Sequence, residues 1–306
     1  MTGESAFIER LRTLAASDAA RGLMDDVAVL DVGGRQLVIT SDTIVAGVHF
    51  LKNDPPEDVG WKLAAVNLSD LAAKGAQPIA CLMNYALTGD DSWDAAFLTG
   101  LKDALDTYAM PLIGGDTVAL PKGAPGVFTL TAIGEAGSAV PARSGALAGD
   151  TLYVTGTIGA AGLGLDLARR GITEPLDPIR AYRRPQPLLA QGRELAPLVH
   201  AMMDVSDGLL IDSARMAAAS NMAVEIALDR MPVSRDVLAG RGDSVDLRMA
   251  AGTAGDDYQL LFAAPSDTIL PIAATAVGRF DIGHGLSLSY MGRSVPVPAR
   301  LGYEHG

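Results

Sequence analysis

Residues 61–73 of the chain read WKLAAVNLSDLAA, an apolar run that carries a single acidic side chain, Asp70. Alanine and leucine favour helix, and the run predicts a helix over residues 59–74. Gly75 and Pro78 follow it, and both residue types are typical of a helix end. Asp70 is therefore placed in the middle of an apolar helix, where an unpaired buried carboxylate would cost several kcal/mol.

Asp70 shares one face of this helix with two other polar side chains. Asn67 lies three residues before it and Lys74 lies four residues after it, and these spacings bring side chains together on a helix. Two explanations follow from the residues alone. Asp70 forms an ion pair with Lys74, or it binds a metal ion.

Shorter patterned segments surround this helix in the first half of the chain. Their apolar residues recur at helical spacing or form short strand-like runs between glycines and prolines. They predict a helix over residues 4–16, a hairpin of strands 27–31 and 37–41 around Gly33 and Gly34, a strand at 79–87, a helix at 92–108 with Ser92 as its N-cap, and a strand at 127–134.

The second half of the chain shows a similar mixture. Residues 136–150 are rich in small residues with little periodicity, and we place a domain boundary there. Strands and helices mix without strict alternation, which indicates an α+β fold class with two domains, residues 1–138 and 139–306. The predicted strands are 151–155, one ending at 203, 224–228, 260–263 and 276–280, and the predicted helices are 161–169, one from Pro185 and Pro187 to about 195, and 208–219.

The composition excludes several classes of protein. Hydrophobic residues make up 49% of the 306 residues, which is typical of a globular chain. The chain has 24 basic and 36 acidic residues, a net charge of −12, and this balance argues against nucleic-acid binding. An acidic protein that handles anions needs local cations, and bound metal ions can supply them.

Three further features lead us to expect a cytoplasmic protein that does not enter a membrane. Cys81 is the only cysteine, so no intrachain disulfide can form, and its apolar neighbours favour a packed core residue over a nucleophile. Residues 1–5 lack the basic and apolar regions of a signal peptide. No uninterrupted apolar run reaches the ~20 residues that span a bilayer.

Aspartates stand at the ends of apolar segments throughout the chain. Capping and turn formation explain many such aspartates, and Asp207 is the strongest cap candidate. Carboxylates from separate segments are also the oxygen ligands that Mg²⁺ takes in proteins. Four histidines and one cysteine, without zinc-like spacing, argue against softer metals. Besides Asp70, the aspartates in question are Asp25, Asp26, Asp42, Asp116, Asp204 and Asp207.

Two glycine-rich segments and one arginine are candidates for anion binding. Residues 114–117, GGDT, can present backbone N–H groups to a phosphate, and residues 155–162 follow a strand and open a helix. Arg143 is either a phosphate clamp or a solvated loop charge. The chain lacks a Walker A sequence, a dinucleotide fingerprint and a G-x-S-x-G elbow, so an ATP site would not be of the P-loop kind.

Taken together, these segments resemble the thiamine-monophosphate kinase family, within the aminoimidazole ribonucleotide synthetase superfamily. The resemblance covers nearly the whole chain. Met24 departs from the family's pattern, which has a glycine before the two aspartates, and Asp256 departs from it where the family has a glutamate. The resemblance rests on the order and spacing of DDVAVL at 25–30, SDTIVAGVHF at 41–50, VNLSDLAAKGA at 66–76, IGGDT at 113–117, DVSDGL at 204–209, GDDY at 255–258 and GYEH at 302–305.

The resemblance implies a fold and a reaction. The N-terminal domain would bind metal and ATP and would form, with a second copy, a β-barrel that spans a homodimer. The C-terminal domain would be α+β. The reaction would be the Mg²⁺-assisted in-line transfer of a phosphoryl group from ATP to thiamine monophosphate. The acceptor phosphate is mostly dianionic at neutral pH, so no general base is expected.

By motif position, the resemblance also implies three groups of site residues. The metal ligands would be Asp26, Thr40, Ser41, Asp42, Asp70, Asp116, Asp204 and Asp207. The contacts to ATP would be Gly115, Asp116, Arg143 and Ser206. The contacts to thiamine monophosphate would be His49, Asp256 and Tyr303.

Two alternatives stay open at this point. Aminoimidazole ribonucleotide synthetase is one, whereas the relatives that need a cysteine near the N-terminus or at the C-terminus fit poorly, because Cys81 is the only cysteine. The other alternative is a regulator that binds nucleotide without catalysis. Such a protein would bind ATP and release no ADP, and it would not need the aspartates that this chain has.

Overall fold

The computed structural model of the chain describes residues 3–304, and for residues 4, 5, 240 and 241 it describes the backbone only. The outermost residues of the two predicted domains, 1, 2, 305 and 306, lie outside this described part. Two mixed β-sheets organise the described residues, one in each half of the chain.

The first sheet has five strands in the order β1-β2-β5-β3-β4. Neighbouring strands run antiparallel except β3 and β4, which run parallel. β1 and β4 are therefore the two edges of an open sheet. In chain order the strands are β1 (Ala28–Val32), β2 (Arg35–Val45), β3 (Ala76–Leu87), β4 (Leu112–Ala119) and β5 (Val127–Ala136).

Among the described residues of this half there are three α-helices: α1 (Gly3–Arg12), α2 (Pro56–Ala73) and α3 (Asp91–Thr107). α2 begins at a proline, which suits the first turn because that turn leaves its N–H groups unbonded. Every side chain of α2 from Val59 to Ala73 is buried, polar ones included, because the helix packs against both sheets and against α3.

The second sheet has seven strands in the order β12-β11-β8-β10-β6-β9-β7. Neighbouring strands in this sheet run antiparallel, except β8 and β11, which run parallel. In chain order its strands are β6 (Thr151–Val154), β7 (Ala201–Asp204), β8 (Ala223–Ala227), β9 (Leu260–Ala264), β10 (Thr275–Asp281), β11 (Gly285–Tyr290) and β12 (Arg293–Val295).

Six helices accompany the second sheet. α4 follows the glycine-rich turn after β6, and α7 follows the turn after β7. Their bounds are α4 (Ala160–Arg169), α5 (Leu176–Arg183), α6 (Leu189–Leu195), α7 (Leu209–Ala219), α8 (Arg235–Arg241) and α9 (Val245–Gly252).

The elements with strong patterns are confirmed, and several details differ. The helix predicted over residues 59–74 is α2, and the strand predicted at 127–134 is the core of β5. The predicted N-cap Ser92 is wrong, because Asp90 accepts hydrogen bonds from the N–H groups of Ser92 and Trp93. Six elements were not predicted from the sequence: α5, α8, α9, β4, β11 and β12.

The mixed α+β fold class is confirmed, and the barrel stays a prediction. Within residues 3–304 the five-stranded sheet does not close on itself, so a barrel would need strands from a second copy. Among these same residues, no helix is both long and apolar enough to cross a membrane.

Candidate functional site

Three aspartates from separate elements converge at one point. Asp26 precedes β1, Asp70 lies on α2 and Asp204 ends β7, and each offers a carboxylate oxygen within 4.8 Å of the other two. Asp70 and Asp204 are buried, while Asp26 is partly exposed. The cluster therefore opens toward solvent on one side and joins residues from both halves of the chain.

Adjacent hydroxyl groups hold the two buried carboxylates in place. Thr40 on β2 donates a hydrogen bond of 2.5 Å from its Oγ1 to Oδ2 of Asp70. Ser69, the residue before Asp70 on α2, donates one of 2.5 Å from its Oγ to Oδ2 of Asp204. One turn of α2 thus contacts the first sheet through Asp70 and the second sheet through Ser69.

Asp42 lies beside this cluster on the same face of β2 as Thr40. They lie two positions apart on the strand, with Ser41 between them, so their side chains point the same way. The N–H of Asp42 donates to Oδ1 of Asn67 on α2 at 3.1 Å. Asn67 therefore fixes the strand beside the carboxylate cluster, and it donates in turn to the carbonyl of Leu63.

The cluster concentrates acidic side chains, and of its three aspartates Asp26 has an ion pair with Arg143. Burial, with the charges of Asp42, Asp204 and Asp26, raises the pKa of Asp70 well above its usual range. Burial and the charge of Asp26 raise the pKa of Asp204 to about 7, and burial with Asp26 and Asp207 raises that of Asp42 to about 6. Such a set of close carboxylate oxygens fits a hard divalent cation like Mg²⁺.

Lys74 is not the partner of Asp70, so the ion-pair explanation of that residue is wrong, and its role as a metal ligand stays a prediction. Nζ of Lys74 lies 2.6 Å from Oδ1 of Asp25 and donates to the carbonyl of Met202 at 3.0 Å. Arg21 pairs with the other oxygen of Asp25 at 2.7 Å. Asp25 is thus a buried structural carboxylate held by two cations, while its neighbour Asp26 faces the cluster.

Arg143 contacts the cluster, so its interpretation as a solvated loop charge is wrong. Its guanidinium Nη2 forms an ion pair with Oδ1 of Asp26. Its Nε is buried and finds no hydrogen-bond partner among the residues that the structure describes. The residue therefore brings a positive, incompletely bonded group to the edge of an acidic site, as a phosphate contact requires.

Asp207 and Ser206 lie in the turn between β7 and α7. Asp207 pairs with Arg215, and it is not a helix cap, because Gly208 holds the N-cap position and no side chain caps there. Instead Oδ2 of the buried Asp212 accepts hydrogen bonds from the N–H groups of Asp207 and Gly208, both at 3.1 Å. The side chain of Asp212 on α7 thus holds the turn that carries Ser206 and Asp207.

Two of the three predicted substrate residues, Asp256 and Tyr303, border the same turn. The N–H of Asp256 donates to the carbonyl of Ser206 at 2.7 Å, and the N–H of Tyr303 donates to the carbonyl of Asp207 at 3.0 Å. His49 accepts a hydrogen bond at Nδ1 from the N–H of Val45, at 3.0 Å. Its backbone carbonyl accepts a hydrogen bond from Nζ of Lys62, which also pairs with Asp256.

Ser41 is one predicted ligand that the fold turns away from the cluster. Its neighbours on β2, Thr40 and Asp42, face α2, so the Ser41 side chain points to the opposite face. There its hydroxyl lies 2.8 Å from that of Thr131, in an exposed position. The side chain of Ser41 therefore points away from the cluster, and its role as a metal ligand stays a prediction.

Gly115 and Asp116 lie apart from the other predicted residues of the same chain. They belong to β4, an edge strand of the first sheet, and their predicted contacts to ATP and metal stay predictions. Gly115 has a φ of 149°, and a Cβ there would lie 1.8 Å from the carbonyl oxygen of Met83 on β3. β5 and β3 separate β4 from β2, so β4 lies about 14 Å from β2, three strand spacings away.

Three residues of the site were missed by the sequence reasoning: Lys62, Asp212 and Arg215. Lys62 lies in the same apolar helix as Asp70, and its side chain is only 3% exposed. Like Asp70, Lys62 is a charged side chain in an apolar helix and needs a partner when it is buried. Asp212 and Arg215 lie three residues apart on α7, a spacing that predicts their ion pair but not its contact with Asp207.

Two family models match the chain. AIR synthase related protein, N-terminal domain, matches residues 24–136, and AIR synthase related protein, C-terminal domain, matches residues 148–268. The chain therefore contains two domains of this type.

Two proteins with similar sequences are thiamine-monophosphate kinases. A thiamine-monophosphate kinase of Caulobacter vibrioides is 38% identical to this chain, over 97% of this chain and 88% of its own length. That of Escherichia coli K12 is 38% identical over 85% of this chain and 80% of its own length.

Solved structures agree with these sequence relatives. AaThiL complexed with AMPPCP and TMP matches with a TM-score of 0.88 and 29% identity, over 99% of this chain and 97% of its own. A thiamine-monophosphate kinase from Stenotrophomonas maltophilia matches with a TM-score of 0.76 and 36% identity, over 94% of this chain and 95% of its own.

Proposed function

This chain belongs to the thiamine-monophosphate kinase family and is a thiamine-phosphate kinase, and we propose that it transfers the γ-phosphoryl group of ATP directly to thiamine monophosphate, in line and with Mg²⁺ assistance. One observation carries the mechanistic part of the proposal. Oxygens of Asp26, Asp70 and Asp204 approach within 4.8 Å of one another from three separate elements. A reaction between two phosphate groups needs such a place for cations.

The substrates follow from the relatives. A similar structure holds AMPPCP and TMP, and the relatives at 38% identity are thiamine-monophosphate kinases. ATP as the donor and thiamine monophosphate as the acceptor are therefore the substrates of this chain. No nucleic acid enters this reaction, which agrees with the net charge of −12.

The acidic residues would hold Mg²⁺. Asp26, Asp70 and Asp204 supply the central oxygens, and Asp42 adds a fourth carboxylate whose pKa is raised to about 6 by burial and by Asp26 and Asp207. Thr40 keeps Asp70 oriented through its 2.5 Å hydrogen bond. When bound, Mg²⁺ neutralises charge on phosphate oxygens and helps to align the reacting groups.

The remaining polar groups orient the substrates, and none of them abstracts a proton. The acceptor phosphate has a second pKa near 6 and is mostly dianionic at neutral pH, so it attacks without a general base. Arg143, beside Asp26, can donate hydrogen bonds to phosphate oxygens. The charge of Asp212, whose carboxylate holds the turn that contains Ser206, also acts on Arg143. Repulsion between the two phosphates is the barrier that this arrangement lowers.

A second copy of the chain would complete the site. Asp116 and Gly115 are predicted to bind metal and ATP, yet they lie on the edge strand β4, about 14 Å from β2. A homodimer in which the two sheets form one barrel would place the β4 of one copy near the cluster of the other. We propose this dimer together with the division of the chain into residues 1–138 and 139–306 and with a cytoplasmic location.

The test combines turnover with metal dependence. Incubation with ATP, Mg²⁺ and thiamine monophosphate is expected to give thiamine diphosphate and ADP in equal amounts. The D70N variant is expected to need more than about ten times as much Mg²⁺ for half-maximal activity, since even residues outside a ligand shell contribute that much to metal affinity. High Mg²⁺ is expected to restore part of its activity.

An exposed aspartate on α3 supplies the control. D103N changes the same residue type at an exposed position of α3 outside the cluster and is expected to leave the Mg²⁺ dependence unchanged. The proposed mechanism would be wrong if D70N lost all turnover while binding Mg²⁺ and both substrates normally. ATP binding without ADP release by the unchanged protein would point to a regulator instead.

A further inference from the structure

Lys62 is a buried lysine that the proposed reaction does not use. It lies on α2 seven residues before Ser69, so both side chains project from one face of the helix, about 10 Å apart along its axis. Ser69 bonds Asp204 in the carboxylate cluster. Lys62 therefore lies on the same face of α2 as Ser69, which contacts the carboxylate cluster.

The ammonium group of Lys62 has three partners in three different segments. It lies 2.8 Å from Oδ2 of Asp256, donates to the carbonyl of His49 at 3.0 Å, and stands 4.2 Å from the centre of the Tyr182 ring. With the side chain 3% exposed, these contacts occupy it fully. Lys62 is thus not free to bind a phosphate group itself.

Asp256 receives its orientation from this lysine and from a tyrosine. Its Oδ1 accepts a hydrogen bond of 3.1 Å from the hydroxyl of Tyr258, while Oδ2 faces Lys62. The backbone of both Asp256 and Tyr258 has positive φ, 67° and 48°, a conformation that non-glycine residues seldom adopt. The Asp256 side chain keeps 29% exposure, so part of the carboxylate faces the open site.

We propose that Lys62 is a positioning residue for the acceptor: it holds Asp256 and the His49 segment in the one arrangement that binds thiamine monophosphate. This inference rests on the proposed function. The acceptor carries a fixed positive charge on its thiazolium ring, and an exposed carboxylate attracts such a cation through complementary charge. An ammonium on the buried side of that carboxylate fixes its direction without blocking its exposed side.

A merely structural ion pair between the two halves of the chain makes a different prediction. Its loss would lower stability and would affect both substrates alike. A positioning role through Asp256 affects the acceptor alone, and it makes the effects of changing Lys62 and Asp256 overlap.

The experiment measures both KM values for the unchanged enzyme and for K62M, D256N and the double variant. K62M is expected to raise the KM for thiamine monophosphate about tenfold, as loss of a hydrogen bond to a charged group does, and to leave the KM for ATP within about twofold. The double variant is expected to be no worse than D256N alone. Additive losses, or equal increases in both KM values, would overturn the proposal.

Two further variants keep the test decisive. Y258F removes the other restraint on the Asp256 carboxylate and is expected to raise the same KM by a smaller factor, should K62M fail to fold. K102M is the matched control, because Lys102 is an exposed lysine paired with Asp106 on α3. A KM for thiamine monophosphate that stays unchanged in both K62M and Y258F would also overturn the proposal.

Calorimetric binding of thiamine monophosphate separates this inference from the proposed function. If the unchanged protein binds the acceptor but forms no thiamine diphosphate, the function fails, and weaker binding by K62M still supports the role of Lys62. If the unchanged protein does not bind the acceptor at all, both proposals are overturned.

Discussion

Asp257 is a buried carboxylate with a role different from that of its neighbour Asp256. Both of its oxygens accept hydrogen bonds from the N–H of Gly159, at 3.0 and 2.9 Å, where α4 begins. Burial nevertheless raises the pKa of Asp257 to about 8, against 3.8 for an exposed aspartate. The folded protein therefore holds a proton there that the unfolded chain releases near pH 4, and this stabilisation is lost as the pH rises toward 8.

The variant D257N is expected to remove this part of the pH dependence. The amide oxygen can still accept from Gly159, but it carries no charge at any pH. The free energy of unfolding of D257N relative to the unchanged protein is expected to rise between pH 5 and pH 9, as urea titrations at several pH values would measure. D267N, at an exposed position, is the control. Parallel stability curves for D257N and the unchanged protein would contradict the prediction.

At the scale of residues, the sequence predicted the carboxylates better than their surroundings. The cost of burying Asp70 limited it to a pair with Lys74 or a metal, and the structure removes the first by pairing Lys74 with Asp25. What the sequence could not show was which distant hydroxyl meets which carboxylate. Ser69 and Asp204 are joined by a 2.5 Å hydrogen bond although 135 residues separate them.

At the scale of elements, pattern strength decided what could be predicted. α2 and β5 have long, consistent apolar patterns and were predicted to within a few residues. β4 was missed because Gly114 and Gly115 interrupt it, and glycine disfavours strands. Its pairing with β3 supplies the hydrogen bonds that local sequence does not reveal. α5 and α8 are short, and such helices depend on tertiary packing more than on propensity.

The packing of α2 against α3 gives a prediction at this scale. A Cβ at Gly100 would lie 1.8 Å from the backbone oxygen of Glu57, and one at Gly60 would lie 2.2 Å from that of Phe97. The two glycines therefore let the helices approach closely. G100A is expected to destabilise the fold by about 1–3 kcal/mol, as overpacking of a core does.

Thermal and urea unfolding would measure this effect. G137A is the matched control, since a Cβ at Gly137 meets no atom within 4 Å. A G100A protein as stable as G137A would show that α2 and α3 can separate without loss, and the account of their close approach would then be wrong.

At the scale of the whole molecule, the first sheet carries apolar side chains that its own chain leaves exposed. Ile113 on β4 is 62% exposed, and Leu82 on β3 and Leu112 and Val118 on β4 are also exposed. Grouped exposed apolar residues of this kind mark interaction surfaces in soluble proteins. The edge strand β4 also leaves backbone groups unpaired on its outer side, which a second copy could cover.

The proposed homodimer can therefore be tested through Ile113. I113D is expected to shift the protein from twice the chain mass to the mass of one chain in light scattering at micromolar concentration, because a buried unpaired carboxylate would oppose association. Activity is expected to fall with the dimer, since Asp116 would reach the carboxylate cluster only from the other copy. I269D, at a 91% exposed position of the C-terminal half, should change neither. If I113D stayed dimeric, Ile113 would lie outside the interface, and this choice of dimer surface would be wrong. If a monomer kept full activity, Asp116 would have to act within its own chain, and the shared site would be wrong.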